Sequence, residues 1–382
     1  MLSNKIYKHF FIELNKYFII TLFTFTAIVW TVQAVNFLDL VVEDGHGLSV
    51  YLGYSLLNIP KILTKFIPLS FLISLVLAIL KFENENELII LWTAGLNKIK
   101  LVNFFLKISL LVMLLQIVFA SIINPNILNY SRSLIKSSNL DFISSMVKTN
   151  QFNDTVPGLT IFVEEKNQNG DMINILIRDE SKILKSIDNI NNTENVTIIA
   201  KKGRVVNPNS PALVLSDGII QSQKINKNIQ TIKFTKTVLK LDNLQTRSIV
   251  QTKIQETPSV LLIKCYFNKK EIEIINCPKD HKKNDVLSEI NRRFGIPLYI
   301  PIITLIICFL LNQRGESKYK NYFKYIYTIV AFSILVVAEI LVKYSGKSFS
   351  NSIIYYLTPF VLLPLIYLEI IRNFLYENLR KK

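Results

Sequence analysis

The chain reads as a membrane α-helical protein of six transmembrane helices, with an all-β domain inserted on the outer side between the third and fourth. Three observations predict this class. Six apolar stretches fall in two groups of three, near residues 17–38, 59–80 and 106–126, and near 294–312, 325–342 and 350–371. A polar insert, residues 127–293, separates the groups. Lys and Arg collect in alternate flanks of the stretches, which is how cytoplasmic loops are marked.

A helix crosses the hydrocarbon core with about 20 apolar residues. Residues 17–38, 108–131 and 294–313 carry no charged side chain. The second stretch holds Lys61 and Lys65 near its start, and the fifth holds Glu339 with Lys343 just beyond. The sixth is uncharged but contains Pro359 and Pro364, tolerated where neighbours satisfy the freed carbonyls. The first stretch is long for a signal core. It ends in Val35-Asn36-Phe37-Leu38-Asp39 without a small-residue cleavage site, so it reads as a retained helix.

Composition agrees. Half of the 382 residues are hydrophobic, only 19% are charged, and mean hydropathy is +0.33, which departs from a soluble globule of this length. The net charge of +16 raises nucleic acid as a partner. No aromatic–basic stripe or finger motif accompanies it, so no nucleic-acid partner is expected. A basic balance beside apolar stretches fits anionic lipid and topology.

The flanks orient the helices. Lys5, Lys8 and Lys16 precede the first, whereas Asp39, Glu43 and Asp44 follow it. Lys81, Lys98, Lys100 and Lys107 lie between the second and third. Arg314, Lys318, Lys320 and Lys324 lie between the fourth and fifth, and Arg372, Arg380, Lys381 and Lys382 form the tail. Both termini are therefore expected in the cytoplasm and the insert outside. Lys343 and Lys347, in the last outer loop, run against the rule.

Within the insert, residues 127–145 read as a continuation of the third helix. Then the period changes. Segments 159–165, 172–178, 196–199, 212–215 and 231–234 are short and β-branched. Pro157-Gly158, Asn169-Gly170, Lys202-Gly203, the prolines of 208–211 and Asp217-Gly218 punctuate them as turns. This predicts an all-β domain at about 146–250, a sandwich or jelly roll, whose open edge could take a partner strand. Residues 251–293 show no clear element. Cys265 and Cys277 could pair in an oxidising compartment; two free thiols is the alternative. Cys308 sits in an apolar helix as a small hydrophobe.

Catalytic chemistry is missing from the pattern. His9, His46 and His281 share no metal-ligand spacing. No glycine loop for phosphates and no nucleophile elbow occurs. No catalytic residue, cofactor or metal is expected.

The loop between the second and third helices is more informative. Glu85 and Glu87 precede an apolar run, 87–94, and Gly95 suits a C-terminal cap. Leu88, Leu91 and Trp92 fall at i, i+3 and i+4 on one face. The leading carboxylates complement the helix dipole. Such a helix could dock a soluble partner, or could lay its apolar face on lipid with Trp92 as anchor; sequence physics leaves both open.

The string Glu85-x-Glu87-Leu88 followed by Ala94-Gly95-Leu96 comes after a helix opened by Ile59-Pro60 and containing Ile67-Pro68-Leu69-Ser70. Val32-Gln33 and Phe37-Leu38-Asp39-Leu40 close the first helix. Leu215-Ser216-Asp217-Gly218 lies in the insert, and Asn291-Arg292-Arg293-Phe294-Gly295-Ile296-Pro297 opens the fourth helix. In this order, and over nearly the whole chain, they resemble the lipopolysaccharide export permease family, also called the YjgP/YjgQ family. The first-helix string and the loop look closer to the F-type subunit than to the G-type.

The resemblance implies a permease subunit of an ABC-type transporter in the inner membrane of a Gram-negative envelope. It implies extraction of lipopolysaccharide from the outer leaflet of that membrane. Its partners would be a homologous permease (a heterodimer), a cytoplasmic ABC ATPase dimer that hydrolyses the ATP, and periplasmic bridge proteins. The inserted domain would be a periplasmic β-jelly roll joined to that bridge by edge-to-edge strand addition. The ATPase contact would fall on Glu85 and Glu87, with Leu88, Leu91 and Trp92 packing against it.

Family members often carry basic residues at the outer helix ends, where lipid A phosphates arrive. Here the first helix ends in Gln33, Asn36 and Asp39, so Lys61, Lys65 or Lys343 would supply the charge; topological anchoring is the other reading. Glu339 could pair with Lys343 four residues on, or meet substrate. A reading from another class is a membrane-anchored assembly or structural factor whose β domain is its binding module.

Overall fold

Among the described residues, six helical stretches are long and apolar enough to cross a membrane. They are Lys5–Val42, Leu48–Asn84, Lys98–Ile135, Lys283–Leu311, Tyr322–Ser345 and Phe349–Phe374. The computed structural model describes residues 2–42, 47–137, 149–156, 158–167, 171–180, 193–206, 212–224, 229–240, 254–267, 283–312 and 320–379. In chain order the helices are α1 (Leu2–Asn36), α2 (Asp39–Val42), α3 (Leu48–Leu57), α4 (Ile59–Asn84), α5 (Glu87–Thr93), α6 (Lys98–Val118) and α7 (Asn124–Ser137). After six strands come α8 (Ser259–Phe267), α9 (Lys283–Gly295), α10 (Tyr299–Cys308), α11 (Lys320–Ser345) and α12 (Phe349–Leu379). The chain divides into two compact units. One holds Met1–Val32, Asn58–Asn129 and Lys253–Lys382; the other holds Gln33–Leu57 and Tyr130–Thr252.

The first unit is a helical bundle built around α10. Every residue of α10 is buried, as expected of a helix that is apolar on all sides. It packs against α4, α6, α11 and α12. Phe71, Phe82, Phe105, Ile300 and Ile307 belong to this core. α1 enters it through Phe10 and Leu14, and Phe10 stands edge-on to Phe82 at 4.3 Å. Pro60 opens α4 in its first turn, where a missing N–H costs no helical bond. Asn97 caps α6 by accepting the Ile99 N–H at 2.9 Å. A π-helical turn, Phe119–Ile123, joins α6 to α7.

Residues 254–259 and α9, in a stretch featureless in the sequence, are joined by one side chain. Arg293 on α9 is buried and satisfies all five of its N–H groups. Nε donates to Glu289 at 3.1 Å. One terminal nitrogen donates to the carbonyl of Thr257 and the hydroxyl of Ser259, and the other to the carbonyls of Ile254 and Gln255. Ser259 in turn donates to the carbonyl of Ser121 in the π-helical turn at 2.8 Å. Asn291 ties α9 to the α11–α12 hairpin through the hydroxyls of Ser345 and Ser352, each at 2.8 Å.

In the second unit the strands are β1 (Phe152–Val156), β2 (Leu159–Lys166), β3 (Asp171–Asp179), β4 (Thr193–Val206), β5 (Ala212–Lys224) and β6 (Ile229–Lys240). They form one six-stranded antiparallel sheet in sequential order, a meander. No Greek-key crossing, which a jelly roll needs, occurs among the described strands. The described residues of its core, from Leu159, Ile161 and Val163 to Leu213, Leu215 and Leu239, all come from the strands. Two turn signals prove to be mid-strand. Lys202-Gly203 lies inside β4 and Asp217-Gly218 inside β5. Asn169-Gly170 and 208–211 lie outside the described residues.

The two glycines mark a crease. In all four ladders from β2 to β6 the pairing skips one row, that of Glu164, Asn174, Lys201, Asp217 and Thr235. Asn174 (φ 51°) and Asp217 (φ 54°) are left-handed there, a conformation that Asn and Asp accept more readily than most residues. The buried face changes parity across the row. In β5, Leu213 and Leu215 are buried before it and Ile220 after it. A Cβ on Gly218 would stand 2.3 Å from the carbonyl oxygen of Ile199, a backbone atom that cannot step aside. One on Gly203 would meet the tip of Ile175, a side chain that can turn. Gly218→Ala should therefore destabilise the sheet by about 1–3 kcal/mol, and Gly203→Ala by less. Hydrogen exchange across β4 to β6 in the detergent-solubilised chain measures both; equal protection in the two variants would show that the crease tolerates a methyl.

Candidate functional site: the loop helix and the two charged ends of the bundle

α4 ends at Asn84, and the chain reverses through Asn86, whose φ of 60° is left-handed, to start α5. α5 closes with a Schellman pair. Gly95, at φ 82°, donates its N–H to Trp92, and Leu96 donates to Leu91. Seven residues cannot hold a helix unaided. Packing holds it: Leu88 is 1% exposed, and Leu91 and Trp92 pack on the same core as α4, α6 and α10. The Lys98 ammonium lies 5.5 Å from the Trp92 ring and 5.6 Å from the Phe374 ring.

Leu88, Leu91 and Trp92, expected to pack against the ATPase, lie against the core of their own bundle, Leu88 fully and Leu91 and Trp92 in part, because a short helix needs its apolar face to exist at all. The residues turned outward are Ile89 and Ile90, 44% and 62% exposed, with Glu85 beside them.

The carboxylates around the reversal stitch four helices together. Glu87 on α5 accepts from His9 Nε2 on α1 at 3.2 Å. Lys81 on α4 donates to Glu13 on α1 at 2.8 Å and lies 3.9 Å from Glu85. Glu83, 8% exposed, pairs with Lys324 on α11 at 2.8 Å. Glu85 and Glu87 were legible from sequence. His9, Glu13, Glu83 and Lys324 were not, since no spacing rule connects residues so far apart in the chain.

At the opposite end of α11, Glu339 lies 3.4 Å from Arg292 on α9. The expected partner was Lys343. Among the described residues Lys343 has no ion-pair partner, since the planar guanidinium of the neighbouring helix matches a carboxylate better than an ammonium one turn away. Lys61 and Lys65 lie one turn apart on α4, Lys65 exposed and Lys61 half-buried. Cys265 on α8 is disulfide-bonded, and Cys277 lies outside the described residues. No three His, Cys, Asp or Glu side chains among the described residues gather as metal ligands.

Removing one member of a buried ion pair strands the other. Lys324→Met should lower stability by about 1–3 kcal/mol, and the double variant Glu83→Gln/Lys324→Met should recover part of the loss. Thermal unfolding in detergent reads both; a double variant no better than the single would remove the pair from the account.

Two comparisons bear on this arrangement. An uncharacterized protein of Rickettsia prowazekii (strain Madrid E) is 24% identical over 338 residues, covering 88% of this chain and 89% of its own length. The family model for the lipopolysaccharide export system permease LptF/LptG matches residues 8–373, from the first helix through the inserted sheet to the last helix. The chain belongs to the LptF/LptG family of lipopolysaccharide export system permeases.

Proposed function

We propose that this chain is one of two permease subunits of an ABC-type transporter that extracts lipopolysaccharide from the outer leaflet of the bacterial inner membrane. The observation that carries the coupling is α5. It is clamped to the bundle by Leu88 and Trp92 and paired with α1 through Glu87 and His9; the end of α4 just before it pairs with α1 through Lys81 and with α11 through Glu83, and Glu85, Ile89 and Ile90 face outward. A cytoplasmic ATPase dimer would seat on that outward face and hydrolyse the ATP; the sequence of this chain has no glycine-rich phosphate loop of the Walker type. Its closing motion would press α5, and the ion pairs would pass the displacement to α1 and α11. Those two helices show the bilayer, or a partner, most of their surface. A second, homologous permease would complete the cavity for the glycolipid, and this chain takes the F-type place.

In this reading both termini are cytoplasmic and the sheet is periplasmic, the bent meander taking the place that a jelly roll holds in the expected bridge. β6, twelve residues long and mostly exposed, is an edge strand of that sheet. A strand of a bridge protein would add there and receive the cargo. In the oxidising periplasm Cys265 would bridge to Cys277. Unreduced chain should then take up no thiol reagent at either position under denaturing conditions, and both should label after reduction. Labelling without reduction would place this loop in a reducing compartment or leave the thiols apart.

The coupling is tested by Glu85→Arg/Glu87→Arg and, separately, by Ile90→Asp. Each should reduce the ATPase that co-purifies with the detergent-solubilised complex by about tenfold or more, as loss of a charged or central interface contact does. An intact complex with normal transport would sink the coupling role of α5. A wild-type chain that brings down no nucleotide-binding subunit at all would favour the membrane-anchored assembly factor.

A further inference from the structure

Arg292 and Arg293 are neighbours in sequence with opposite situations. Arg293 is buried and spends every donor on protein acceptors. Arg292 is 38% exposed at its side chain and is held loosely. Its terminal nitrogens lie 3.6 Å from Glu289 and 3.4 Å from Glu339, and its Nε, turned inward and buried, has no hydrogen-bond partner. Glu289 is already engaged by Arg293. Glu339 is 48% exposed at its side chain, on a helix whose neighbouring side chains Val336, Val337 and Ile340 are exposed and apolar. A carboxylate on a lipid-facing helix is costly. One turn on, Lys343 is exposed and without an ion pair among the described residues. A guanidinium fork whose terminal nitrogens are held only by contacts of 3.4 and 3.6 Å, a second cation and an apolar flank together suit an amphiphile with a phosphate head.

We propose that Arg292 is a phosphate-binding residue for lipid headgroups at this end of α11, with Glu339 as a built-in competitor that occupies the fork until a phosphate displaces it. Lys343 supplies the second positive charge. Headgroup phosphate would take Glu339's place on Arg292, and the tails would lie along Val337 and Ile340. Displacing Glu339 removes the ion pair between α9 and α11 and leaves the Asn291–Ser345 hydrogen bond as their polar tie, so cargo arrival relaxes one of two polar contacts at this end of α11. The site deepens the permease reading and rests on it for the identity of the cargo, but the binding itself requires no ATPase.

The test uses the full chain in phosphatidylcholine nanodiscs doped either with diphosphoryl lipid A or with phosphatidylglycerol, and counts retained anionic lipid by native mass spectrometry. Arg292→Gln should cut retention about tenfold, with Arg292→Lys in between because it keeps the charge and loses the fork. Glu339→Gln should raise retention severalfold. Response of lipid A alone identifies phosphomonoester cargo as the ligand, and response of both identifies headgroup phosphate in general; either supports the site. Retention unchanged in Arg292→Gln, or lowered in Glu339→Gln, overturns it. Should Arg292→Gln fail to fold, Glu339→Gln decides alone, since a damaged protein does not gain lipid. If no ATPase co-purifies yet the lipid pattern holds, the permease reading falls and this site stands.

Discussion

A charge inside an apolar bundle must be paired, and Arg293 shows how completely that constraint organises one end of this molecule. Its cost in a low-dielectric setting is met by one carboxylate, one hydroxyl and three backbone carbonyls. Those carbonyls belong to residues 254–257, where the chain returns toward the bundle after the insert. The return segment therefore has a fixed seat, and Ser259 extends the seat to the π-helical turn between α6 and α7. The turn where the chain leaves for the insert and the segment by which it comes back are thus bonded to each other within one unit.

The same constraint explains where the other charges lie. α10, at the centre, carries none, and is buried along its length. Charge is confined to the two ends, and α11 meets it at both: Lys324 with Glu83 near its start and Glu339 with Arg292 near its finish. Between these tethers Ala331 and Ala338 are fully buried, Tyr327, Ile334 and Leu335 pack against the core, and the Tyr327 ring stacks on Phe309 at 5.4 Å. Glu83 stands a few residues before α5, so the pair that ties α4 to α11 lies close to the loop helix.

Six spans were legible because each is a run of apolar residues bounded by charge, a one-dimensional signal. The loop helix was legible in its position and its glycine cap, both local. Its facing was not. Leu88, Leu91 and Trp92 form an amphipathic stripe whichever way they point, and only the neighbours provided by α4, α6 and α10 decide that they point inward. Glu339 failed for a related reason: the helical neighbour Lys343 is visible in sequence, whereas Arg292 becomes a neighbour only when α9 and α11 pack. Local rules rank the partners a residue has on its own helix and are silent about those on another.

The sheet gives the clearest case of a correct signal with a different cause. Glycine beside Lys202 and Asp217 announces a departure from extended backbone, and turns are the commonest such departure. Here the departures stack in one row across five strands, so each strand continues past its own break. A single sheet has only one way to bury an apolar face without a second layer, which is to bend until the face covers itself. Strands of twelve to fourteen residues resist that bend unless something relaxes the pleat midway. Left-handed Asn174 and Asp217 relax it, and Gly203 and Gly218 make room for the side chains and backbone that close over the crease. The change of buried parity across the row follows, because a strand rotated at one residue must present alternate positions inward on either side of it. Periodicity taken in short windows sees two strands with a turn between them; the physical object is one strand with a fold in it.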